Sequence, residues 1–145
     1  MCLETAQILC TVLGGPYKPT HRNHPCVLWV AAAKGHLWWT LRHWEALCDE
    51  YTARYGRVHA SWEKCWIYFQ DQYLDLESNN HNVEGFVNCT VFKSESDTHM
   101  AYKMALVKKW EEDLSPPDWG VDGRPLLLPE GPQYDKEPLT FYESA

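Results

Sequence analysis

Apolar residues recur along most of the chain at the three- and four-residue spacing of an amphipathic helix. In the first segment they stand at Leu3, Ala6, Leu9, Cys10 and Leu13. Gly14-Gly15-Pro16 follows directly and predicts that a first helix ends there.

The same spacing predicts three further helices. The longest covers residues 26–55, with Gly35 as the point where it could be interrupted and Gly56 as its C-terminal stop. Another begins at Ser61 as N-cap and runs to about residue 76, and the last runs from Asp97 or Thr98 to about residue 112.

The remaining segments have no helical period. Residues 77–96 are polar and irregular, apart from one β-like run over residues 85–92. The chain after Ser115 is rich in proline and acidic residues, as extended or disordered tails are. We therefore predict an all-α protein, with one domain of about four helices over residues 1–119 and an irregular, extended or disordered acidic Pro-rich tail over residues 120–145.

Composition places this chain among soluble globular proteins. Hydrophobic residues make up 45% of it, with eight Trp and eight Tyr, which is far more than a disordered chain carries. The longest apolar run, residues 27–33, is too short to span a bilayer, and no signal peptide precedes the first helix. The six cysteines form no C-x-x-C pair, which favours reduced thiols over disulfides. We expect a cytoplasmic protein of a bacterium, or of the host cell if a phage encodes it, with no membrane partner.

The formal net charge is −7, but the charge is distributed unevenly. No acidic residue occurs from position 5 to position 44, whereas Lys18, Arg22, Lys34 and Arg42 lie within that stretch. Screening limits charge interactions to about 8–10 Å at physiological salt, so a local positive field can persist on an acidic protein. The alternative is chance clustering in a chain that is acidic mainly towards its C-terminus.

The loop of residues 17–25 is the strongest candidate for contact with nucleic acid. It concentrates cations, hydrogen-bond donors and the start of a helix at Pro25, all of which suit phosphate groups. The predicted contacts are Tyr17, Lys18, Thr20, His21, Arg22, Asn23 and His24, with Lys34 and Arg42 beyond the loop. Trp29, Trp38 and Trp39 offer rings on which bases could stack. The alternative is a rigid connection in which His24-Pro25 only caps the next helix.

Glu4 is the one acid before position 45 and is our candidate general acid/base. The alternative is an exposed glutamate on a helix surface. His21 and His24 could join another histidine and Cys26 in a zinc site, and Cys26 could be a nucleophile, but neither spacing is diagnostic. We predict no metal site and no cofactor.

Three segments carry a resemblance to known proteins. They are Leu3-Glu4-Thr5-Ala6-Gln7, the loop Tyr17-Lys18-Pro19-Thr20-His21-Arg22-Asn23-His24-Pro25, and Glu50-Tyr51-Thr52-Ala53-Arg54-Tyr55-Gly56-Arg57-Val58-His59. Together with Pro117-Asp118-Trp119 they resemble a group of uncharacterised phage and bacterial proteins. That group in turn resembles the pyrimidine-dimer DNA glycosylases, which are small all-helical enzymes.

The resemblance implies a reaction on damaged or modified duplex DNA. In that family an N-terminal α-amine attacks C1′ of a flipped nucleotide to give a Schiff base, and a first-helix glutamate assists base loss and strand cleavage. Glu4 matches that glutamate. In the family a longer segment carrying the amine precedes the glutamate, whereas only Met1, Cys2 and Leu3 precede Glu4. We therefore expect an N-terminally shortened chain or an altered chemistry, with the amine of Cys2, Lys18 or Lys34 as possible substitutes.

Three functions are consistent with these residues. The first is a DNA glycosylase/AP-lyase-like enzyme that acts in repair or on modified bases. The second is a non-catalytic nucleic-acid-binding module that lacks the amine nucleophile, and the third is a protein-interaction module that binds through its acidic tail.

Overall fold

The computed structural model describes residues 1–77, 83, 85–115, 117–119 and 123–128. Within them the chain is helical and contains no strand, so the all-α prediction is confirmed. Five helices occur rather than about four: α1 (Cys2–Leu13), α2 (Pro25–Ala32), α3 (Lys34–Tyr55), α4 (Ala60–Glu77) and α5 (Thr98–Glu112).

The chain forms two compact units, Met1–Val87 and Asn88–Ala145. The first contains α1 to α4 and the second contains α5. The predicted division into residues 1–119 and 120–145 stays a prediction, and most of the tail that it assigns lies outside the described residues.

Helix α1 follows its sequence pattern closely. Ala6, Leu9 and Cys10 are fully buried. The helix ends at Gly14, whose φ of 84° is unfavourable for residues with a side chain and whose N–H donates to the Cys10 carbonyl at 2.9 Å. At its start Met1 provides no side-chain cap.

The predicted helix over residues 26–55 is broken at Ala33, two residues before Gly35. Ala33 is extended, with φ −154° and ψ 149°, and it separates α2 from α3. Two contacts hold the bend: the rings of Trp29 and His36 stack at 4.0 Å, and His36 Nδ1 lies 2.7 Å from the Trp29 carbonyl oxygen. The break is therefore fixed by side-chain packing in a segment of good helix formers.

The core of the first unit is built from the buried faces of α1, α3 and α4. Trp44 and Phe69 are its largest fully buried side chains, and their rings meet edge to face at 5.4 Å. Truncating either to alanine is expected to cost about 3–5 kcal/mol of unfolding free energy. The full set of buried residues is Cys2, Ala6, Leu9, Cys10, Leu41, Trp44, Cys48, Cys65, Phe69 and Tyr73.

Helix α4 begins one residue earlier than predicted. The helix starts at Ala60, and the residue before it, His59, accepts the Ser61 N–H on Nδ1 at 3.0 Å. The assignment of Ser61 as N-cap is therefore wrong. An imidazole nitrogen replaces the hydroxyl that sequence rules favour for this role, and the Ser61 hydroxyl is buried inside the core.

The second unit starts with an irregular segment where a β-like run was predicted. Thr90 bonds the Asn88 side chain through its N–H at 3.0 Å and its hydroxyl at 2.6 Å, which forms a local turn instead of a ladder. Asp97 caps α5 by accepting the Met100 N–H at 3.2 Å, as predicted.

A small core forms beside α5. Its buried members are Phe92, Ala101, Met104 and Leu128. Trp119, from the Pro-x-Trp element, packs edge to face on Trp110 at 4.6 Å. None of the helices in the described part of the chain is long and apolar enough to cross a membrane.

Candidate active site and nucleic-acid interface

Glu4 lies in the first turn of α1 next to the start of the chain. Its Oε2 is 2.7 Å from the α-amino nitrogen of Met1, and its side chain is 70% exposed. The hydrogen bond from this ammonium group is the main cause that lowers the pKa of Glu4 below its usual value, followed by a backbone hydrogen bond. The carboxylate is consequently ionised near neutral pH and paired with an amine.

Three side chains from different parts of the first unit meet at the start of α1. Donor atoms of Cys2, Cys48 and His59 lie within 4.8 Å of one another. Cys2 and Cys48 are buried, while His59 is half-buried.

The end of α3 supplies aromatic and cationic groups to the same region. Tyr51 meets the His59 ring edge to face at 4.7 Å, and the Arg57 guanidinium lies 5.9 Å from the Tyr51 ring. Gly56, with φ 67°, ends α3 and allows the turn that carries Arg57 and His59 back towards α4. Arg54 is paired with Glu50 at 2.7 Å.

The loop of residues 17–25 follows the opposite end of α1. The Thr11 hydroxyl of α1 accepts the Thr20 N–H at 3.1 Å, which ties the loop to the helix. Tyr17 is half-buried against the core, and Lys64 Nζ lies 5.8 Å from its ring. Burial raises the pKa of Tyr17.

The end of the loop is a capping structure. His24 Nδ1 accepts the Cys26 N–H at 3.1 Å, and Pro25 is the first residue of α2. The His24 N–H donates to the His21 carbonyl at 2.8 Å, and His21 has a positive φ of 48°. His21, Asn23 and His24 are all exposed. The capping role assigned to His24-Pro25 in the alternative interpretation is therefore present.

Three of the four predicted cations remain open to solvent. Lys18, Arg22 and Lys34 are exposed, and no ion pair joins them to an acid in the described part of the chain. Lys64 extends this positive surface beside Tyr17. These side chains can approach phosphate groups without first giving up a partner carboxylate.

Arg42, the fourth predicted cation, is bound to other side chains of the protein. Its guanidinium donates to the Tyr73 hydroxyl and lies 3.4 Å from Glu45. The Tyr73 hydroxyl in turn donates to Glu45. Burial and the Glu45 carboxylate raise the pKa of Tyr73. Arg42 thus belongs to a network between α3 and α4, which holds the two helices together.

The tryptophans near the loop pack against protein. Trp29 stacks with His36 at 4.0 Å and with Phe86 at 5.0 Å. Trp39 stacks with His43 at 4.9 Å, and Trp38 packs on the core. Burial also lowers the pKa of His43. This aromatic group stabilises the junction of α2 and α3, and its ring faces are already in contact with the protein.

Glu4 and the loop are separated along α1. Glu4 and the Thr11 anchor are seven positions apart in sequence, which is about 10 Å of helix at 1.5 Å per residue. Along one DNA strand this distance is about three nucleotides, at about 3.4 Å each. The two features can therefore contact different nucleotides of one duplex.

Sequence patterns did not identify His59, Cys48 and Lys64 as neighbours of the two predicted features. His59 and Cys48 are distant from Cys2 in sequence and reach it only through the packing of α1, α3 and α4. His59 lies in the third segment on which the resemblance rests, and that was the available signal.

Comparison with known proteins supports that resemblance. Residues 1–64 match the family model of pyrimidine dimer DNA glycosylase. The matched part contains Glu4, the loop of residues 17–25 and His59, and it is less than half of the 145-residue chain. Neither the curated proteins nor the solved structures gave a match. The match is a likeness to that family over this part of the chain.

Proposed function

We propose that this protein is a DNA glycosylase/AP-lyase-like enzyme that uses Glu4 as its acid/base and acts on damaged or modified duplex DNA. The observation that carries the proposal is the match of residues 1–64 to the pyrimidine dimer DNA glycosylase family, in which Glu4 is an exposed carboxylate in the first turn of α1.

The proposed reaction begins with an amine and a nucleotide that is flipped out of the duplex. The neutral amine attacks C1′, the bond between C1′ and the base breaks, and the base leaves as it takes up a proton. Opening of the sugar ring then gives a Schiff base. Loss of a proton from C2′ expels the 3′ phosphate and cuts the strand, and water finally hydrolyses the imine to release the enzyme.

The attacking amine has to be neutral, and the candidates in the sequence are the amine of Cys2, Lys18 and Lys34. In the proposed role Glu4 holds the amine and shuttles protons during base loss and elimination. Its carboxylate is exposed, so a DNA backbone can approach it.

The loop of residues 17–25 is proposed to position the duplex. Lys18 and Arg22 would contact phosphates about three nucleotides from the reacting sugar, given the separation along α1. Backbone contacts of this kind fix register and orientation and carry no sequence information. Lys34 and Lys64 would extend the same surface.

Strand scission tests the proposal. A duplex with one abasic site and a duplex with one pyrimidine dimer are incubated with the full chain, and the cut products are separated on a denaturing gel. Glu4→Gln is expected to lower the scission rate by about 100-fold or more, since general acid–base catalysis contributes about 10²–10⁴. Glu63→Gln is the matched control, because Glu63 is also an exposed glutamate in a first helical turn. Equal scission by the wild type and Glu4→Gln would refute the catalytic role.

A non-catalytic DNA-binding module is the second candidate. It is favoured by the exposure of Glu4 and by its simple ion pair, which is also an ordinary helix-surface arrangement. This candidate predicts salt-dependent binding to intact and damaged duplexes without any scission. The same gel, combined with a binding titration, separates the two candidates.

A further inference from the structure

A cluster of two thiols and an imidazole lies at the start of α1. Cys2 is the first residue of α1, Cys48 belongs to α3, and His59 precedes α4. One donor atom from each lies within 4.8 Å of the other two. Thiolate and imidazole are the ligands that proteins use most for zinc, and a set of three with an open side can accept a fourth ligand.

We propose that Cys2, Cys48 and His59 form a binding site for a thiophilic divalent cation of the zinc class, next to Glu4. Small side-chain movements would bring the three donors to a common ion, since the tetrahedral bonds are about 2.0–2.3 Å long. The fourth position would face the half-exposed side of His59, where water or the Glu4 carboxylate can reach it.

The surroundings of the two thiols favour a cation. Cys2 and Cys48 are only 9% and 3% exposed, so two uncompensated thiolates there would be costly. A bound dication compensates the two negative charges and deprotonates both thiols on binding.

Ser61 provides the outer contacts that a metal site needs. Its buried hydroxyl lies 2.8 Å from His59 Nδ1 and 3.7 Å from Cys48 Sγ, and it accepts the Trp44 indole N–H at 3.2 Å. With Nδ1 directed at Ser61, Nε2 is the nitrogen available to an ion. Because Nδ1 accepts the Ser61 N–H at 3.0 Å in the protein without a metal ion, coordination through Nε2 would replace that bond with one from Nδ1–H to the Ser61 oxygen, the kind of outer contact that metal-bound histidines make.

A second thiol pair in the same core provides an internal comparison. Cys10 Sγ and Cys65 Sγ lie 3.9 Å apart and are fully buried. Burial and the neighbouring Cys10 raise the pKa of Cys65 to about 12. Among the described residues, no histidine, carboxylate or third thiol completes a candidate metal group with this pair. It has the character of small apolar packing groups, and it serves as a control for buried thiols as such.

Cobalt titration of the full chain tests the site. The protein is reduced, freed of metal and titrated with Co²⁺ alone, which gives near-ultraviolet absorption when it bonds thiolates and visible bands when it is four-coordinate. We expect about one equivalent to bind with both signals, and Zn²⁺ to displace it. Since this readout needs no DNA, its outcome is independent of the proposed DNA chemistry.

Two variants and two controls make the test specific. Cys48→Ser and His59→Asn each remove one proposed ligand. We expect each to weaken Co²⁺ binding by about 100-fold or more, because the loss of a residue that only contacts a ligand typically costs 10–100-fold. Asparagine is a strong N-cap, so His59→Asn keeps the start of α4 while it removes the imidazole. Cys65→Ser and Cys10→Ser should bind Co²⁺ like the wild type, as circular dichroism confirms that each variant is folded. A folded wild type without cobalt–thiolate absorption, or a signal that survives His59→Asn, would overturn the proposal.

Discussion

The Glu4 carboxylate has two features that a DNA-processing residue requires. It is paired with an amine at 2.7 Å, and it is exposed enough to meet a substrate backbone. The hydrogen bond from that ammonium group lowers the pKa of Glu4, so the carboxylate is ionised at neutral pH and can accept a proton in the proposed reaction.

We expect substitution of His24 to affect mainly the stability of the fold and only secondarily the binding of DNA. His24→Ala removes the acceptor of the Cys26 N–H and should lower the unfolding free energy by about 0.5–2 kcal/mol, while His24→Asn retains a cap. Chemical denaturation of the three proteins measures this. If His24→Ala were as stable as the wild type, the capping role would be excluded.

Buried and exposed thiols should differ in reactivity. Burial raises the pKa of Cys65 to about 12, so folding favours its neutral form. This preference for the neutral thiol stabilises the folded protein in full below pH 9, the ordinary pKa of a thiol. The stabilisation is lost as the pH rises towards 12. At pH 8 we expect the exposed Cys89 to react quickly with iodoacetamide and Cys65 only on unfolding, as peptide mass mapping can measure. Equal alkylation of both in the folded protein would contradict this.

The helices could be predicted because their apolar period is regular, while some of their boundaries depend on particular side-chain contacts that residue type does not reveal. The end of α1 at Gly14 follows from local chemistry. The break at Ala33 does not, because an alanine-rich segment favours helix and only the stacking of Trp29 on His36 fixes the bend. The cap of α4 by His59 was missed since histidine is an uncommon capping residue.

The candidate site was predictable only in part, because some of its residues come together only in the folded chain. Glu4 and the loop were found from charge distribution and residue type along the chain. His59 and Cys48 join Cys2 only when α1, α3 and α4 pack, and a single sequence gives no measure of that proximity.

The loop should lose order when its anchor on α1 is removed. Thr11→Val keeps the shape of the side chain but leaves the Thr20 N–H without the hydroxyl that it bonds at 3.1 Å. We expect a loss of about 1 kcal/mol in unfolding free energy and weaker DNA binding with no change of charge. Thr11→Ser restores the hydroxyl and is the control. DNA affinity that is unchanged in Thr11→Val, measured by fluorescence anisotropy, would show that loop order is unimportant for binding.

At the scale of the molecule, a protein of net charge −7 would need a local positive surface to bind DNA, which is itself a polyanion. Lys18→Ala and Arg22→Ala should each reduce the salt slope of DNA binding by about one, because each removes one phosphate contact. Arg42→Ala should change the slope less, since its guanidinium is engaged by Glu45 and Tyr73. Lys103→Ala, an exposed cation on α5, is the control. Binding that does not depend on salt would contradict a phosphate-contacting surface.

The most direct test of the proposed chemistry is borohydride trapping of the Schiff base. The full chain is mixed with duplex DNA that contains one abasic site, sodium borohydride is added, and the adduct is mapped by peptide mass spectrometry. We predict one covalent adduct at an amine of the chain, strongly reduced in Glu4→Gln and unchanged in Glu63→Gln. The absence of an adduct with the folded wild type, or an adduct that forms equally well in Glu4→Gln, would contradict the account.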